Sequence, residues 1–460
     1  MKRPDWPKTL TGGAGRPGQH NGTSGMRMTH KEKDLIGIGF GPANLALAVA
    51  LAEMPGAKRL DWGFVERQDG FHWHRDMQIE GSTVQISFLK DLATLRDPTS
   101  PFTFVNYLHH KGRLESFINL KQDAPTREEF TDYFRWAAAA FTDRVSYGET
   151  VEAVEPVARN GTVSRLRVLT RDASGARIER LTRDLVVAVG GRPRIPALFE
   201  GLGEDRIIHT SSYLSRRDDR IAGQGPVRVA VIGGGQSAAE VFYDVTQRFP
   251  EAAATLILRD HALRPADDSP FVNEVFDAAF VDAVHAMEAE ARRDLIASMR
   301  NTNYAVVNHD LIERIYALLY RQRVADTERH RVLAGRSIEA VHERNGLILD
   351  LRDSVTGAVA SEGFDLAILA TGYRHDSHER LLAGLAADLG GFEVDRFYRL
   401  KTPTSYTTRI YLQGCNERSH GLSDTLLSIL PSARPRSSAT SYPAKRVGHW
   451  PRRADPALLL

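Results

Sequence analysis

Short apolar runs followed by glycine-rich turns and helical patterns recur along the chain. Asp34–Gly39 reads as a strand, residues 43–53 as an Ala/Leu-rich helix, and Asp61-Trp-Gly-Phe-Val-Glu66 as a second strand ending in an acid. That is a βαβ unit. A second unit starts near residue 227, with a helix over about 237–248 and Ala254-Thr-Leu-Ile-Leu-Arg259 as its second strand. Between them, Thr126 with Glu129 forms a capping-box pattern ahead of Phe130, Tyr133, Phe134 and Ala137 at helical spacing over 126–141. Residues 183–191 read as a buried strand ending in glycines, and Pro193 and Pro196 mark a domain crossing. Residues 270–325 read as helical with a break at Asn301–Tyr304. Asp365–Tyr373 and Ile410–Gly414 read as strands, and Ser423–Leu430 starts a helix.

The turn chemistry gives these units a purpose. The first turn is Asp34-Leu-Ile-Gly-Ile-Gly-Phe-Gly-Pro-Ala-Asn44 and the second Val229-Ala-Val-Ile-Gly-Gly-Gly-Gln-Ser-Ala-Ala-Glu240. In the first, Gly37 is expected to make the tight bend and Gly39 to let backbone approach a pyrophosphate at the helix N-terminus. Gly41 precedes Pro42, which occupies the third fingerprint position as a first-turn proline. Glu66 is placed to accept from a ribose hydroxyl. In the second, Gly233, Gly235 and Ala238 fit the Gly-x-Gly-x-x-Ala variant, while Gln236 and Ser237 add donors. Its second strand ends in Arg259, which suits a 2′-phosphate and so NADPH, or is a solvated strand-end charge.

The expected fold is α/β: two Rossmann-like dinucleotide-binding domains, for FAD and NADPH, with a small, mostly helical substrate-binding region. Residues 1–33 read as a disordered leader, with the natural start near Met26 or Met28. Residues 34–222 read as the first part of the FAD-binding domain. Residues 223–366 read as the NADPH-binding domain, with the helical insert at about 270–325. Residues 367–431 return to the FAD-binding domain, and 432–460 form an atypical Arg/Pro/Ser-rich tail.

Composition narrows the chemistry. The chain has 460 residues, a net charge of +2 and a single cysteine, Cys415. The charge gives no electrostatic case for nucleic acid. One cysteine excludes an internal disulfide, a thiolate metal cluster and a flavin–disulfide redox pair, and no metal site is expected. No apolar run approaches a membrane span and no signal core opens the chain, so a cytoplasmic protein is the expectation.

Five further segments carry a resemblance. They are Phe-Leu-Lys-Asp-Leu at 88–92, Asp-Ser-Pro-Phe-Val-Asn-Glu at 268–274, Asn-Thr-Asn-Tyr at 301–304, Ala-Thr-Gly-Tyr at 370–373 and His-Gly-Leu-Ser at 420–423. Alone, Lys90 reads as a solvated loop lysine. With the two fingerprints, these segments resemble the flavin-dependent N-hydroxylating monooxygenases of siderophore biosynthesis, above all the ornithine N5-monooxygenases, over about 34–430. The lysine N6-hydroxylases usually lack the Ser-Pro-Phe-Val-Asn-Glu and Asn-Thr-Asn-Tyr pieces.

The resemblance implies NADPH- and O2-dependent N5-hydroxylation of L-ornithine through a C4a-hydroperoxyflavin. FAD would be held by Gly37, Gly39, Gly41 and Pro42, by Glu66 through Trp73 and His74, by Gln85 and Val151, and by Thr425, Leu426 and Leu427. NADPH would be held by Gly233, Gly234, Gly235, Gln236 and Ser237, by Arg259, and by Asn303, Tyr304 and Ala305. Lys90 would pair with the substrate α-carboxylate, helped by Asn273, Glu274, Val275 and Phe276, with Ser428 near the side-chain amine. No residue presents itself as the general base. The family tends to tetramers. Residues from Leu430 depart from the family's apolar continuation, which raises a reading-frame change and, with it, an inactive relic as the alternative to a working enzyme; a lysine or diamine N-hydroxylase is the other alternative.

Overall fold

The first apolar run becomes strand Lys33–Ile38, the centre of a parallel sheet in the computed structural model, which describes residues 27–28 and 32–427. The parallel order is Val145–Ser146, Trp62–Val65, Lys33–Ile38, the C-terminal half of Arg177–Val187, then Arg409–Leu412. Helix Pro42–Glu53 buries every residue from Asn44 to Leu51. A helix that is apolar all round belongs in a core, and its small alanines let it lie close to the sheet. Helix Arg127–Ala138 packs on the same core, started by Thr126, whose hydroxyl accepts from the Glu129 N–H at 3.2 Å.

Arg177–Val187 does double duty. Its N-terminal half closes an antiparallel meander with Glu149–Arg159 and Thr162–Asp172. The sequence reading began this strand at 183 and passed over its two partners. The inner face of Thr162–Asp172 alternates as a strand should, with Leu166, Val168 and Thr170 buried. The outer face of the meander is held by ion pairs, Arg167 with Glu179 at 2.7 Å and Arg171 with Glu152 at 2.6 Å. Residues Arg27–Met28, expected within the disordered leader, pair parallel with Ile178–Glu179. Lys33, the last residue expected in the leader, opens strand Lys33–Ile38, while residues 1–26, 29–31 and 428–460, with the expected tail, lie outside the described residues.

The second unit is a five-stranded parallel sheet in the order Arg331–Leu333, Ala253–Ile257, Arg228–Ile232, Leu366–Leu369 and Ile207–His209. A three-stranded antiparallel sheet, Arg336–Glu343, Leu347–Asp353 and Val359–Phe364, packs beside it and was not read from the sequence. Ile207–His209 belongs to this second unit although the sequence placed it in the first. Strand Leu366–Leu369 likewise lies wholly here, although its residues from Ala367 on were placed in the return segment. The chain crosses between the units through Arg192–Pro193 and Tyr373–Arg374, which pair antiparallel. Among the described residues, no helix is long and apolar enough to cross a membrane.

One packing detail carries a pH dependence. His330 is buried beneath the Phe242 ring, and its Nδ1 accepts the Ala254 backbone N–H at 3.2 Å. Burial, helped by the nearby Arg329 charge, pushes the imidazole down to about 4. An unfolded histidine titrates near ~6.5. Between these values the unfolded chain takes up a proton that the folded chain refuses, so stability is full above the unfolded value and falls with pH below it. Thermal unfolding at pH 7 and pH ~5 is expected to show a lower midpoint in acid, with a shallower loss in His330→Gln. Equal slopes in the two proteins would remove His330 from the account.

Candidate active site

The first glycine turn faces a cavity of about 880 Å3, whose far wall includes Ser211, Ala278, Val281, Asn303, Tyr304 and Tyr373; the second glycine turn does not line it. In the first turn the bend falls at Gly39, with φ +83. A Cβ there would stand 2.5 Å from the Ala188 carbonyl oxygen, so only glycine fits. Gly37, expected to make the bend, lies inside the strand instead. Its missing side chain admits the Phe64 ring, which a Cβ would meet at 2.3 Å. Gly41 is the helix N-cap and Pro42 the first helical residue. The missing proline N–H costs little there, and Gly41, Pro42 and Ala43 place the helix N-terminus on the cavity wall.

Glu66 braces this turn. Its carboxylate accepts the Phe40 N–H at 2.6 Å and the Gln68 N–H at 2.9 Å. A carboxylate has about four acceptor positions, so lone pairs remain for a ribose. Asn44 adds a second brace by donating to the Gly39 carbonyl at 2.6 Å.

Of the residues expected to hold FAD, Gly39, Gly41, Pro42, Glu66, Trp73, His74, Val151, Thr425, Leu426 and Leu427 line the cavity. Gly37 does not. Neither does Gln85, whose amide donates to Asn308 Oδ1 at 2.8 Å. His74 sits in the left-handed region at φ 44, edge-on to Trp73 and Tyr373. Its side chain opens onto the cavity, yet desolvation by the surrounding protein, helped by the Arg127 charge, pushes the imidazole down to about 4. Behind it, His209 is fixed in one tautomer. Its Nδ1 accepts the Ser211 N–H at 3.1 Å, leaving Nε2–H to donate to the Gly372 carbonyl at 3.1 Å. Tyr373 packs between these two histidines.

In the second turn the positive φ falls at Gly233, where a Cβ would stand 2.5 Å from the Ala370 carbonyl oxygen. Ala238 lies directly against this position, which is why the third fingerprint residue is small. Gly235 caps helix Gln236–Arg248, and the strand before Arg259 ends at Ile257 rather than at Arg259 itself. Arg259 is exposed and no described carboxylate pairs with it. Gly233, Gly234, Gly235, Gln236, Ser237, Arg259 and Ala305, expected to hold NADPH, all lie off this cavity's wall, whereas Asn303 and Tyr304 reach it from the loop between the helical segments. Ala305 follows with φ +58 and packs against Gly235. Tyr304 donates its hydroxyl to Glu417, which ties this loop to the segment carrying Thr425.

The helical insert comprises Pro270–Asn273, Ala278–Ala286, Ala289–Ser298 and His309–Val324, with the expected break between the last two. Ala278 and Val281 line the cavity, and Asp282 pairs with Arg396 on its wall. The Lys90 ammonium stands 6.0 Å from the Phe276 ring, and no described carboxylate pairs with it. The fold therefore brings Lys90 and the 273–276 segment together. Asn273 donates to the Asp268 carbonyl at 2.8 Å, which orders the start of that segment; Glu274 is exposed and Val275 buried. Ser428 lies outside the described residues. The helix expected from Ser423 is a single 3-10 turn, Leu422–Thr425, ended by extended backbone at Leu426.

Gln413 and Asp424 also line the wall, and sequence reasoning missed both. Gln413 Oε1 is buried without a donor. Asp424 accepts the Asn416 N–H at 2.5 Å, and burial pushes its carboxyl up to about 7. The signal available for Asp424 was its position immediately before Thr425.

The family described as L-lysine 6-monooxygenase/L-ornithine 5-monooxygenase matches residues 31–375. An L-ornithine N(5)-monooxygenase of Burkholderia cepacia is 52% identical over 430 residues, spanning 91% of this chain and 97% of the relative. The solved ornithine hydroxylase PvdA of Pseudomonas aeruginosa superposes with a TM-score of 0.83 at 47% identity, over 87% of this chain and 97% of that one. A Kutzneria ornithine N-hydroxylase, KtzI, solved with reduced FAD, NADP+ and L-ornithine, superposes with a TM-score of 0.82 at 36% identity, over 87% of this chain and 97% of that one. With its two glycine-turn units and these matches over most of its length, the chain belongs to the L-lysine 6-monooxygenase/L-ornithine 5-monooxygenase family.

Proposed function

We propose that this protein hydroxylates the side-chain nitrogen of L-ornithine, using FAD, NADPH and O2, and so supplies N5-hydroxyornithine for hydroxamate siderophores. The observation that carries the reading is the cavity that the first glycine turn shares with Asn303, Tyr304 and Tyr373, together with the approach of Lys90 to the Phe276 ring. The cavity volume, about 880 Å3, lies toward the upper end of the ~300–1,000 Å3 range of ligand sites, which suits a dinucleotide. The residues fit FAD on two counts: Gly39 leaves a cradle that a side chain would fill, and Gln413 Oε1 awaits a donor on the wall. The flavin-binding unit would comprise the first sheet with the return segment, and the nicotinamide-binding unit the second sheet. The cytoplasm, where NADPH is regenerated, is the compartment proposed.

When bound, FAD supplies the electron transfer and oxygen activation that no side chain provides. The chain's own residues do the rest. Lys90 grips the substrate carboxylate, with Asn273 and Phe276 beside it. The side chain then reaches a fixed distance toward the cavity. Lysine is one methylene longer, and a misplacement of ~1 Å can cost on the order of 10²-fold in rate. The attacking amine must be neutral although a free alkylammonium titrates near ~10.4. Desolvation in a closed pocket lowers that value. The same closure keeps water from the reacting centre.

The reading is tested by comparing NADPH-dependent hydroxylamine formation from ornithine, lysine and putrescine. Ornithine is expected to lead by at least an order of magnitude; equal or greater product from lysine would favour the alternative substrate. Absence of any bindable flavin absorbance would favour the inactive relic. Arg259 gives a second expectation. If it pairs with the 2′-phosphate, Arg259→Ala raises the KM for NADPH by roughly tenfold or more, the scale of one charge-assisted hydrogen bond. The KM for NADH is expected to stay nearly constant, and parallel rises for both nucleotides would discard the pairing.

A further inference from the structure

Arg127 opens a helix of the first unit, and Glu240 lies on the helix that follows the second glycine turn. The two meet as a bidentate pair. Arg127 Nη1 and Nη2 donate to Glu240 Oε2 and Oε1, each at 2.8 Å, and Nη1 also donates to the Met77 carbonyl at 2.9 Å. The side chains are only 13% and 5% exposed, so both charges have left water. A buried pair of this kind persists only with good geometry, and the planar fork fixes both distance and orientation.

The contact does not stop there. Glu240 Oε1 also accepts the Gln236 amide N–H at 2.9 Å. Gln236 Oε1 accepts the Asn308 backbone N–H at 2.8 Å, and Asn308 Oδ1 accepts the Gln85 amide N–H at 2.8 Å. The polar chain thus leaves the first unit at Arg127 and returns to it at Gln85. Along the way it passes through Gln236 at the N-terminus of the helix after the second glycine turn. The backbone joins the two units through the paired crossings Arg192–Pro193 and Tyr373–Arg374. Two such crossings form a hinge, which the polar chain restrains together with Met77 and Ile79 of the first unit, packed in the core of the second.

We infer that Arg127 and Glu240 are a positioning pair that sets how the nicotinamide unit faces the flavin unit, with Gln236, Asn308 and Gln85 linking the second glycine turn back to the first unit. The inference rests on the function proposed above. Hydride transfer needs donor and acceptor within ~3–3.5 Å, so a small rotation at this hinge removes productive contact without removing either cofactor. Neither residue is assigned to touch the reacting atoms.

The test compares Glu240→Gln, Arg127→Lys, Asn308→Ala and the charge exchange Arg127→Glu/Glu240→Arg with the parent, in the flavin-loaded protein. In Glu240→Gln, anaerobic flavin reduction by NADPH is expected to slow at least tenfold. Reduction by dithionite and FAD affinity stay as in the parent. The shift of the flavin spectrum on adding NADP+ should weaken. Arg127→Lys and Asn308→Ala should move the same quantities by smaller factors, and the charge exchange should recover part of the loss. Backbone hydrogen exchange at Arg192, Arg194, Tyr373 and Arg374 should speed up in Glu240→Gln, with or without flavin.

NADPH reduction at the parental rate in both Glu240→Gln and Arg127→Lys would overturn the inference. So would a loss matched by an equal loss of FAD affinity, which marks mere support of the fold. If Glu240→Gln does not fold, Arg127→Lys and Asn308→Ala decide by the same readouts. A parent protein that binds no FAD, or is not reduced by NADPH, would instead sink the proposed function, and the exchange measurement would still judge the hinge.

Discussion

Replacing Lys90 with alanine is expected to abolish ornithine hydroxylation at ordinary substrate concentration while NADPH oxidation partly survives. Lys90 sits on the loop after Val84 with no carboxylate of its own among the described residues, and it faces Phe276 across 6.0 Å. Phe276 is two residues from Ala278, which lines the cavity. A lysine held half-buried beside an aromatic ring and left without a counter-ion is poised for an anion brought by a ligand. A charge-assisted hydrogen bond contributes about 1.5–3 kcal/mol, which is roughly 10- to 150-fold in affinity. The rate falls further because an unanchored ornithine no longer presents its amine at a fixed reach. NADPH does not depend on this contact and continues to be oxidised, with peroxide as the expected product. Direct measurement of ornithine affinity in Lys90→Ala decides the matter, and an unchanged affinity would end the assignment.

The second large effect is structural. Gly39→Ala is expected to yield protein that purifies with little or no flavin, whereas Gly41→Ala retains it. At Gly39 the backbone has φ +83 and a methyl group would stand 2.5 Å from the Ala188 carbonyl oxygen. The positive φ costs about 1–2 kcal/mol for an L-residue. The contact with backbone cannot be relieved by a rotamer change, so one strand end must move. That movement occurs where the pyrophosphate of a dinucleotide would approach the helix N-terminus. At Gly41 nothing lies within 4 Å of a Cβ, and φ is −84. The pair of variants therefore separates loss of the cradle from loss of any glycine. The ratio of flavin absorbance to protein after purification is the readout. Equal flavin content in the two variants would show that the first turn does not hold the cofactor as proposed.

What could be read from the chain alone followed from strong local signals. Helix Pro42–Glu53, its flanking strands and the matching unit after Val227 were legible because glycine turns and apolar runs coincide there. Thr126 announced its helix through the hydroxyl cap now seen at Glu129. The two antiparallel sheets were not legible. Their outward positions carry arginine and glutamate that satisfy one another across strands, so charge concealed an alternation that burial makes plain. The bend at Gly39 rather than Gly37 was also hidden. Both are glycines in the same motif, and only the position of the Phe64 ring explains why Gly37 must lack a side chain.

The site shows the same division. Residues attached to a motif, such as Glu66, Asn303 and Tyr304, fall on the cavity wall. Asp424 and Gln413 reach it from a segment whose sequence gives no separate signal. Gln85 and Gln236 were assigned to different cofactors from the family resemblance. Nothing in their spacing, with 150 intervening residues, could show that Asn308 joins them. Contacts between units are tertiary facts, and only the assembled fold displays them.

The central claim is that one oxygen atom from O2 is placed on the side-chain nitrogen of ornithine. Incubating the flavin-loaded protein with NADPH, L-ornithine and isotopically heavy dioxygen, then analysing the product by mass spectrometry, tests this directly. The account predicts N5-hydroxyornithine carrying the heavy isotope, formed only when ornithine and NADPH are both present. NADPH consumed with peroxide as the sole product and no hydroxylated ornithine would contradict it.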